Sequence, residues 1–378
     1  MSSTMTTPAG IPPLDHQPTE MPKHHPMDFF RTPPKMGAVI RGRAPVSSLS
    51  YHEDGDFLFV ASERDSRLKV VDCLRGCAVE GGIQGPGGIK VEREGVRLVQ
   101  ATHHKYCPLF VGKGDATTQS PQQRNAIHYM SMYDNKILRN FTGHSGEITG
   151  LSMNPIDDCF LSASADRKVR LWNIQQAGCL AELTLPAGSE GSPHACFDST
   201  GLVFGVAAPM AGISGHLINL YDARKYDGGA FAELKLARTS IEKAIHNKGV
   251  APELAMELSN TEWTSLRFNT SGKQLLVTAN KGLALALDGF DGTVNNVFVG
   301  EGASPGVPPT QPLAACFTPD DKTVLGGNED GTISCWNATT GKLLRKLEGH
   351  VGRVGCVAVN PKYAQIASAC TNPALWIW

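Results

Sequence analysis

From Met27 onward the chain is written in short apolar runs, five to seven residues long, separated by Gly, Asp and Asn, as in GDFLFVA, KQLLVTAN and KTVLGGNEDGTISCW. Runs of that length with turn residues at both ends predict β-strands joined by tight turns. The first 26 residues, MSSTMTTPAGIPPLDHQPTEMPKHHP, follow a different rule. Rich in Pro, Thr and Ser with almost no aliphatic side chains, residues 1–26 bury too little apolar surface to offset the entropy of ordering. They are expected to be a disordered tail.

The strand pattern repeats. A similar strand ending occurs at Val71-Asp72, Tyr133-Asp134, Trp172-Asn173, Tyr221-Asp222, Leu287-Asp288, Trp336-Asn337 and the final Trp378. Seven units, none able to bury both faces alone, predict a closed array of stacked sheets within one domain, residues 27–378. Their spacing exceeds the roughly 40 to 45 residues usual for a four-stranded repeat. The excess falls in loops at 76–94, 112–126, 237–260 and 300–312. The 237–260 insert contains SIEKAIHNKG and APELAMEL and predicts a short helix. The last unit ends on its third strand. KMGAVIRG, residues 35–42, has the alternation to supply the fourth strand, closing the ring and removing a free edge.

One stretch, GHSGEITGLSMNPIDDCFLSASADRKVRLWN at 143–173, places His144, Ser162, Asp166 and Trp172 at offsets that recur elsewhere. Asp166 precedes Trp172 by six positions, as Asp330 precedes Trp336, Asp65 precedes Val71 and Asn372 precedes Trp378. His144 to Trp172 and His350 to Trp378 are both 28 positions, and Ser162 and Ser368 stand four before Asp166 and Asn372. An Asp in the turn between the second and third strands accepts from the His, the His meets the Ser hydroxyl, and the hydroxyl meets the indole N–H. Buried groups of these kinds must be paired or each costs about 1–3 kcal/mol. His144, Ser162, Asp166 and Trp172, with His350, Ser368 and Trp378 in the last unit, are therefore read as a structural tetrad, not a catalytic triad. The sixth unit has lost it, with Gly326 for Ser and Pro308 where His would fall.

A net charge of -1 and 19% charged residues give no global bias toward nucleic acid or membrane, so any charged partner meets a local patch,. Lys23, Arg31, Lys35, Arg41 and Arg43 are sparse and lack interleaved aromatics, which argues against direct nucleic-acid binding. No apolar run reaches the roughly 18 residues of a membrane span. The 10 cysteines form no Cys-x-x-Cys pair and are read as reduced thiols of an intracellular protein,. His103, His104 and Cys107 are zinc-ligand types without a second pair and read as a turn between strands. No nucleophile elbow, zinc-protease helix, phosphate loop or dinucleotide fingerprint occurs, so neither an enzyme nor a bound metal or cofactor is expected.

Several stretches are more specific than generic repeat text: YDARKYDGGAF, EWTSLRFN and ASACTNPALW, alongside MYDNKILRNFTGHSGEITGLSMNPIDDCFLSASADRKVRLWN and CFTPDDKTVLGGNEDGTISCWN. On these, from about residue 27 to the end, the chain resembles WD40-repeat subunits of the Swd-two type. It departs from them in the tail, the 112–126 loop and the 237–260 insert. The resemblance implies an all-β, seven-bladed WD40 propeller acting in the nucleus as a noncatalytic scaffold. It implies two assemblies. One is the COMPASS complex methylating histone H3 lysine 4, through its SET-domain methyltransferase subunit. The other is the messenger-RNA cleavage and polyadenylation factor with its phosphatase module, which serves transcription termination. It also implies contact with the phosphorylated C-terminal domain of RNA polymerase II. The alternative is a WD40 adaptor of another complex, such as a substrate receptor of a ubiquitin ligase. In such propellers, rim positions three and five after the repeat His and one before the turn Asp meet partners. Here these are Arg64, Glu147, Thr149, Glu262, Thr264, Glu329 and Arg353. Acidic groups on blades 3, 5 and 6 and arginines on blades 7 and 1 suit a peptide of mixed charge.

Overall fold

The computed structural model describes residues 32–79, 88–91, 95–114, 119–185, 191–210, 214–304 and 306–378. The tail expected at 1–26 lies outside them. The strands form seven antiparallel sheets, and the innermost strands follow one another around a ring, with Cys356–Val359 meeting Ser48–Tyr51 to close it. The architecture is a seven-bladed β-propeller. Blade 3 is representative, with strands Ile148–Met153, Cys159–Ser164, Lys168–Asn173 and Cys179–Thr184 from centre to edge. Its second and third strands are almost wholly buried and its fourth alternates exposed with half-buried positions. Small and branched apolar residues at the middle strands pack blade against blade, so the core is a series of inter-blade layers rather than one centre,.

The ring closes as the alternation of residues 35–42 predicts. Lys35–Val39 pairs antiparallel with Pro373–Ile377 and becomes the outer strand of blade 7. The register shifts between Met36 and Ala38. A Cβ at Gly37 would come within 2.7 Å of Ile377 Cδ1, so glycine lets the bulge lie flat on its neighbour,. Beyond the strand, Ile40 N–H donates to Pro373 O at 2.8 Å and Gly42 N–H to Asn372 Oδ1 at 2.8 Å.

One face of the ring carries the turns between first and second strands, and these are latched blade to blade. Asn360 of blade 7 donates to Gly55 O of blade 1 at 2.7 Å, and Asn154 of blade 3 to Gly201 O of blade 4 at 3.1 Å. Both glycines have positive φ, 73° and 68°, and a Cβ on either would run into the asparagine amide,. His103 latches three blades. Its Nδ1 lies 2.7 Å from Glu53 Oε2, and its Nε2 lies 3.0 Å from Asn154 O and 3.1 Å from Asp157 O. Acceptors on both sides require a proton on both nitrogens, the imidazolium form. Burial alone would lower the His103 pKa, but the Glu53 carboxylate and the two carbonyls outweigh it and raise it above the ordinary value.

A histidine raised on folding stabilises fully below its unfolded pKa of about 6.5, and that contribution fades as pH rises through the higher folded value. An NMR titration is expected to place His103 above the solution value, and Glu53→Gln to lower it. The urea midpoint of the parent should fall relative to His103→Asn as pH rises past neutrality. A flat difference would remove the latch.

The inserts depart from a plain propeller. The 112–126 segment carries α1, Pro121–Arg124. The 237–260 segment holds two helices, not one: α2, Arg238–His246, and α3, Pro252–Ser259. Pro252 starts α3 where no N–H is needed,. Ile241, Ile245, Ala255 and Leu258 pack with Leu234 and Leu236 into the core shared by blades 4 and 5.

Candidate partner-binding face

The opposite face carries the loops that lead into each blade, and the tetrad shapes it. In blade 3, His144 Nδ1 is 2.9 Å from Asp166 Oδ2 and Nε2 is 2.7 Å from Ser162 Oγ, to which Trp172 Nε1–H donates at 2.8 Å. All pairings are satisfied by a neutral ring: Nδ1–H donates to the carboxylate, Nε2 accepts the Ser O–H, and Oγ accepts the indole N–H. Burial lowers the His144 pKa despite Asp166 beside it, which keeps the ring neutral. Asp166 also accepts Ser145 N–H at 3.0 Å and Lys168 N–H at 3.1 Å, tying the loop into the blade to the turn between its second and third strands.

In blade 7 the arrangement differs from the sequence expectation. The indole that donates to Ser368 Oγ, at 2.7 Å, belongs to Trp376, not Trp378. His350 Nε2 lies 2.6 Å from Ser368 Oγ, and its Nδ1 meets Cys370 Sγ at 3.3 Å, so Cys370 rather than Asn372 stands in for the aspartate. The turn between the second and third strands comes one position sooner after the serine here: Ser368 pairs with Ala374, whereas Ser162 pairs with Arg170. That draws Trp376 level with Ser368 and frees Asn372 to hold Gly42. In blade 6 the indole of Trp336 occupies the vacant serine position, since a Cβ at Gly326 would meet Trp336 Cζ3 at 2.5 Å. Asn328 there bridges Thr332 Oγ1 and Ser334 Oγ, both at 2.8 Å.

Of the seven rim residues singled out, five are engaged in holding the rim. Glu147 pairs with Arg97 of blade 2, and the same guanidinium bonds the Ile148 carbonyl. Thr149 Oγ1 donates to Pro193 O at 3.3 Å. Thr264 Oγ1 meets Thr278 Oγ1 at 2.9 Å. Glu329 Oε1 accepts from the backbone N–H of Thr310 and Gln311, each at 2.6 Å. Arg353 donates to Pro312 O at 3.1 Å. Only Arg64 and Glu262 present exposed side chains with no side-chain hydrogen bond or ion pair to a described residue. Arg353, exposed like Arg64, spends a donor on the Pro312 carbonyl. Arg64 instead lines a cleft with Arg97, Lys113 and Arg124, residues that sequence offsets did not single out. Glu262 lines a second, open cleft against α3, with Glu253 and Met256.

His103, His104 and Cys107 form a turn, with Cys107 N–H donating to His104 O at 3.0 Å. Among the described residues no three His, Cys, Asp or Glu side chains are grouped to hold a metal, and no helix is long and apolar enough to cross a membrane.

Seven blades, six of four strands and one with a fifth short strand among the described residues, an N-terminal closing strand and a Trp-Ser-His-Asp network define a WD40-type β-propeller. The sequence model of the family described as WD domain, G-beta repeat, matches residues 35–72, 135–173, 309–337 and 341–378. The matches at 35–72, 135–173 and 341–378 begin near an outer strand and end near the third strand of the next blade, the stagger that lets residues 35–39 close blade 7. WD repeat-containing protein 82 of Drosophila melanogaster is 32% identical over 333 residues, covering 88% of this chain and 90% of the relative. COMPASS component SWD2 of Saccharomyces cerevisiae is 27% identical over 336 residues, covering 86% and 88%. Set1 complex component swd2 of Schizosaccharomyces pombe is 26% identical over 249 residues, covering 66% and 58%. The chain belongs to the Swd2-type family of WD40-repeat proteins.

Proposed function

We propose that this protein is a noncatalytic scaffold subunit of a nuclear, chromatin-associated COMPASS-type complex, which methylates histone H3 lysine 4. The observation that carries this reading is similarity across most of the chain to a protein named COMPASS component SWD2, supported by a partial match to one named Set1 complex component swd2. The propeller supplies a rigid rim whose loops are held by hydrogen bonds between blades, and a scaffold needs such a surface more than it needs reactive groups. Its direct partner is the SET-domain methyltransferase subunit. The same propeller serves the cleavage and polyadenylation factor and its phosphatase module at messenger-RNA 3′ ends, with contact to the phosphorylated polymerase C-terminal domain. Family resemblance supports this second role. Arg64 and Glu262, exposed at separate places on the rim and paired with no described residue, are the side chains most open to such partners.

The test is purification of the tagged full chain from nuclear extract of its own organism, with mass spectrometry of what accompanies it. The expected result is recovery of a SET-domain methyltransferase together with cleavage and polyadenylation subunits. Recovery of the methyltransferase alone removes the 3′-end role. Recovery of a cullin assembly in place of both would replace the reading with that of a ubiquitin-ligase substrate receptor.

A further inference from the structure

The connection between the second and third strands is three residues in blade 3, between Ser164 and Lys168, but in blade 2 it runs from 113 to 126. Its described ends, Lys113 with Gly114 and Arg124 with Asn125, form one wall of a cleft of about 530 Å³ on the rim of blades 1 to 3. Local chemistry fixes the α1 end of that wall. Ser120 Oγ accepts from Gln123 N–H and Gln123 Oε1 from Ser120 N–H, a capping box at the start of α1,. Asn125 Nδ2 donates to Pro121 O at 2.9 Å and to Ser145 O at 3.2 Å, fastening the wall to the loop that leads into blade 3. Gly114 lies so close that a Cβ would sit 2.7 Å from Arg124 Cα.

The cleft is lined by Arg64, Arg97, Lys113 and Arg124 against Glu63 and Glu147. Arg97 and Glu147 are spent on each other. Arg64, Lys113 and Arg124 form no ion pair with a described residue, and among the described lining residues Glu63 is the carboxylate left to oppose them. Among the described lining residues, three cations without an ion pair face one such anion in a concave site, where low-dielectric walls strengthen their field,.

We propose that this cleft docks a short acidic segment of a partner protein, bearing Asp or Glu side chains, with Arg64, Lys113 and Arg124 as its anchors. The assignment rests on the reading of the rim as a partner surface. Carboxylates suit it better than a phosphate. The three cations come from separate segments, the turn of blade 1, the start of the insert and α1, so they meet several single charges rather than one dianion. Glu63 in the same lining repels a phosphate of charge near -2 more than a carboxylate,.

Fluorescence anisotropy of the full chain tests this, with the labelled peptide Gly-Asp-Glu-Ala-Asp-Glu-Gly as probe. Its charge-reversed Lys/Arg counterpart and a bis-phosphoserine peptide of the same length serve as comparisons. The acidic peptide is expected to bind, to bind at least about tenfold more weakly to Arg64→Ala/Arg124→Ala, and to be unaffected by Lys136→Ala/Lys235→Ala. The second pair removes the same charge from exposed outer strands. Both variants should melt with the parent. The proposal is overturned by no binding, by equal loss in both variants, by equal binding of the basic peptide, or by tenfold tighter binding of the phosphopeptide. Co-purification of the methyltransferase that survives any of these failures leaves the scaffold reading standing without the cleft.

Discussion

Deleting residues 27–43 is expected to cost about 5 kcal/mol or more, because it opens the ring rather than trimming an end. Met36 packs with Trp376 and Ile366, and Ala38 and Ile40 pack with Leu58, Val71 and Leu375 of blades 1 and 7. Burying a Met or Ile side chain is worth about 1.5–3 kcal/mol each. The strand bonds to Pro373–Ile377, the Ile40 and Gly42 bonds and the Lys69 ammonium on Arg41 O go as well. At about 1 kcal/mol net per bond the total approaches the 5–15 kcal/mol of a typical domain. Its loss also leaves Pro373–Ile377 as an open apolar edge, a template for pairing with another chain. Urea unfolding followed by fluorescence, with sedimentation across a range of concentrations, should show a lower midpoint and new self-association. A truncated chain that melts with the parent and stays monomeric would mean that blades 7 and 1 hold together without the closing strand.

That closure was legible in the sequence because a free alternating strand before the first repeat and a three-stranded last repeat are complementary facts. The blade 7 tetrad was only half legible, and the reason is geometric. Trp378 lies one residue past the strand Pro373–Ile377 that carries Trp376, two positions on, the spacing that returns to the same side of an extended chain,. The placement of the turn after Ser368, which chooses between them, is invisible in a count from His350. The exact repeat of His144 to Trp172 in His350 to Trp378 was thus a coincidence of an earlier turn and a second tryptophan. Trp378 packs beside the same cluster as Trp376. Cys370 in the aspartate's place could not be read from a search for Asp or Asn. The proline after Asn372 was the one sign that the turn there is not that of blade 3. On the rim, residue types were legible and partners were not. Thr149 with Pro193 and Glu147 with Arg97 join different blades through positions 44 and 50 apart, and no local pattern encodes such pairs. The basic cleft escaped for the same reason: its cations come from a turn, a strand approach and an insert that meet only once the ring is built.

Trp172→Ala should be the most damaging single substitution, because at Trp172 the network and the inter-blade layer coincide. Trp172 is 1% exposed, stacked with Phe160 at 6.3 Å between centroids and edge-on to Phe141 at 5.6 Å. Truncating a buried Trp or Phe to Ala typically costs about 3–5 kcal/mol, part transfer and part cavity. The backbone beside it is fixed by the tetrad, so blade 3 has little room to collapse into the space. Trp172→Phe separates the two contributions. It keeps most of the ring volume and leaves Ser162 still able to donate to His144, so it should cost about 1–2 kcal/mol, the scale of one lost hydrogen bond. Asp166→Asn tests the other end of the chain of bonds. It keeps an acceptor for Nδ1–H but loses the charge that organises Ser145 and Lys168 N–H, so the loop at 143–147 should loosen before the blade unfolds. Urea midpoints for the three variants, with hydrogen exchange at Ser145 to locate the loosening, decide the matter. A Phe variant as damaging as the Ala variant would mean that the indole N–H bond, not packing, governs the blade. An Ala variant costing under 1 kcal/mol would mean that blade 3 is held by its neighbours and that its tetrad is dispensable.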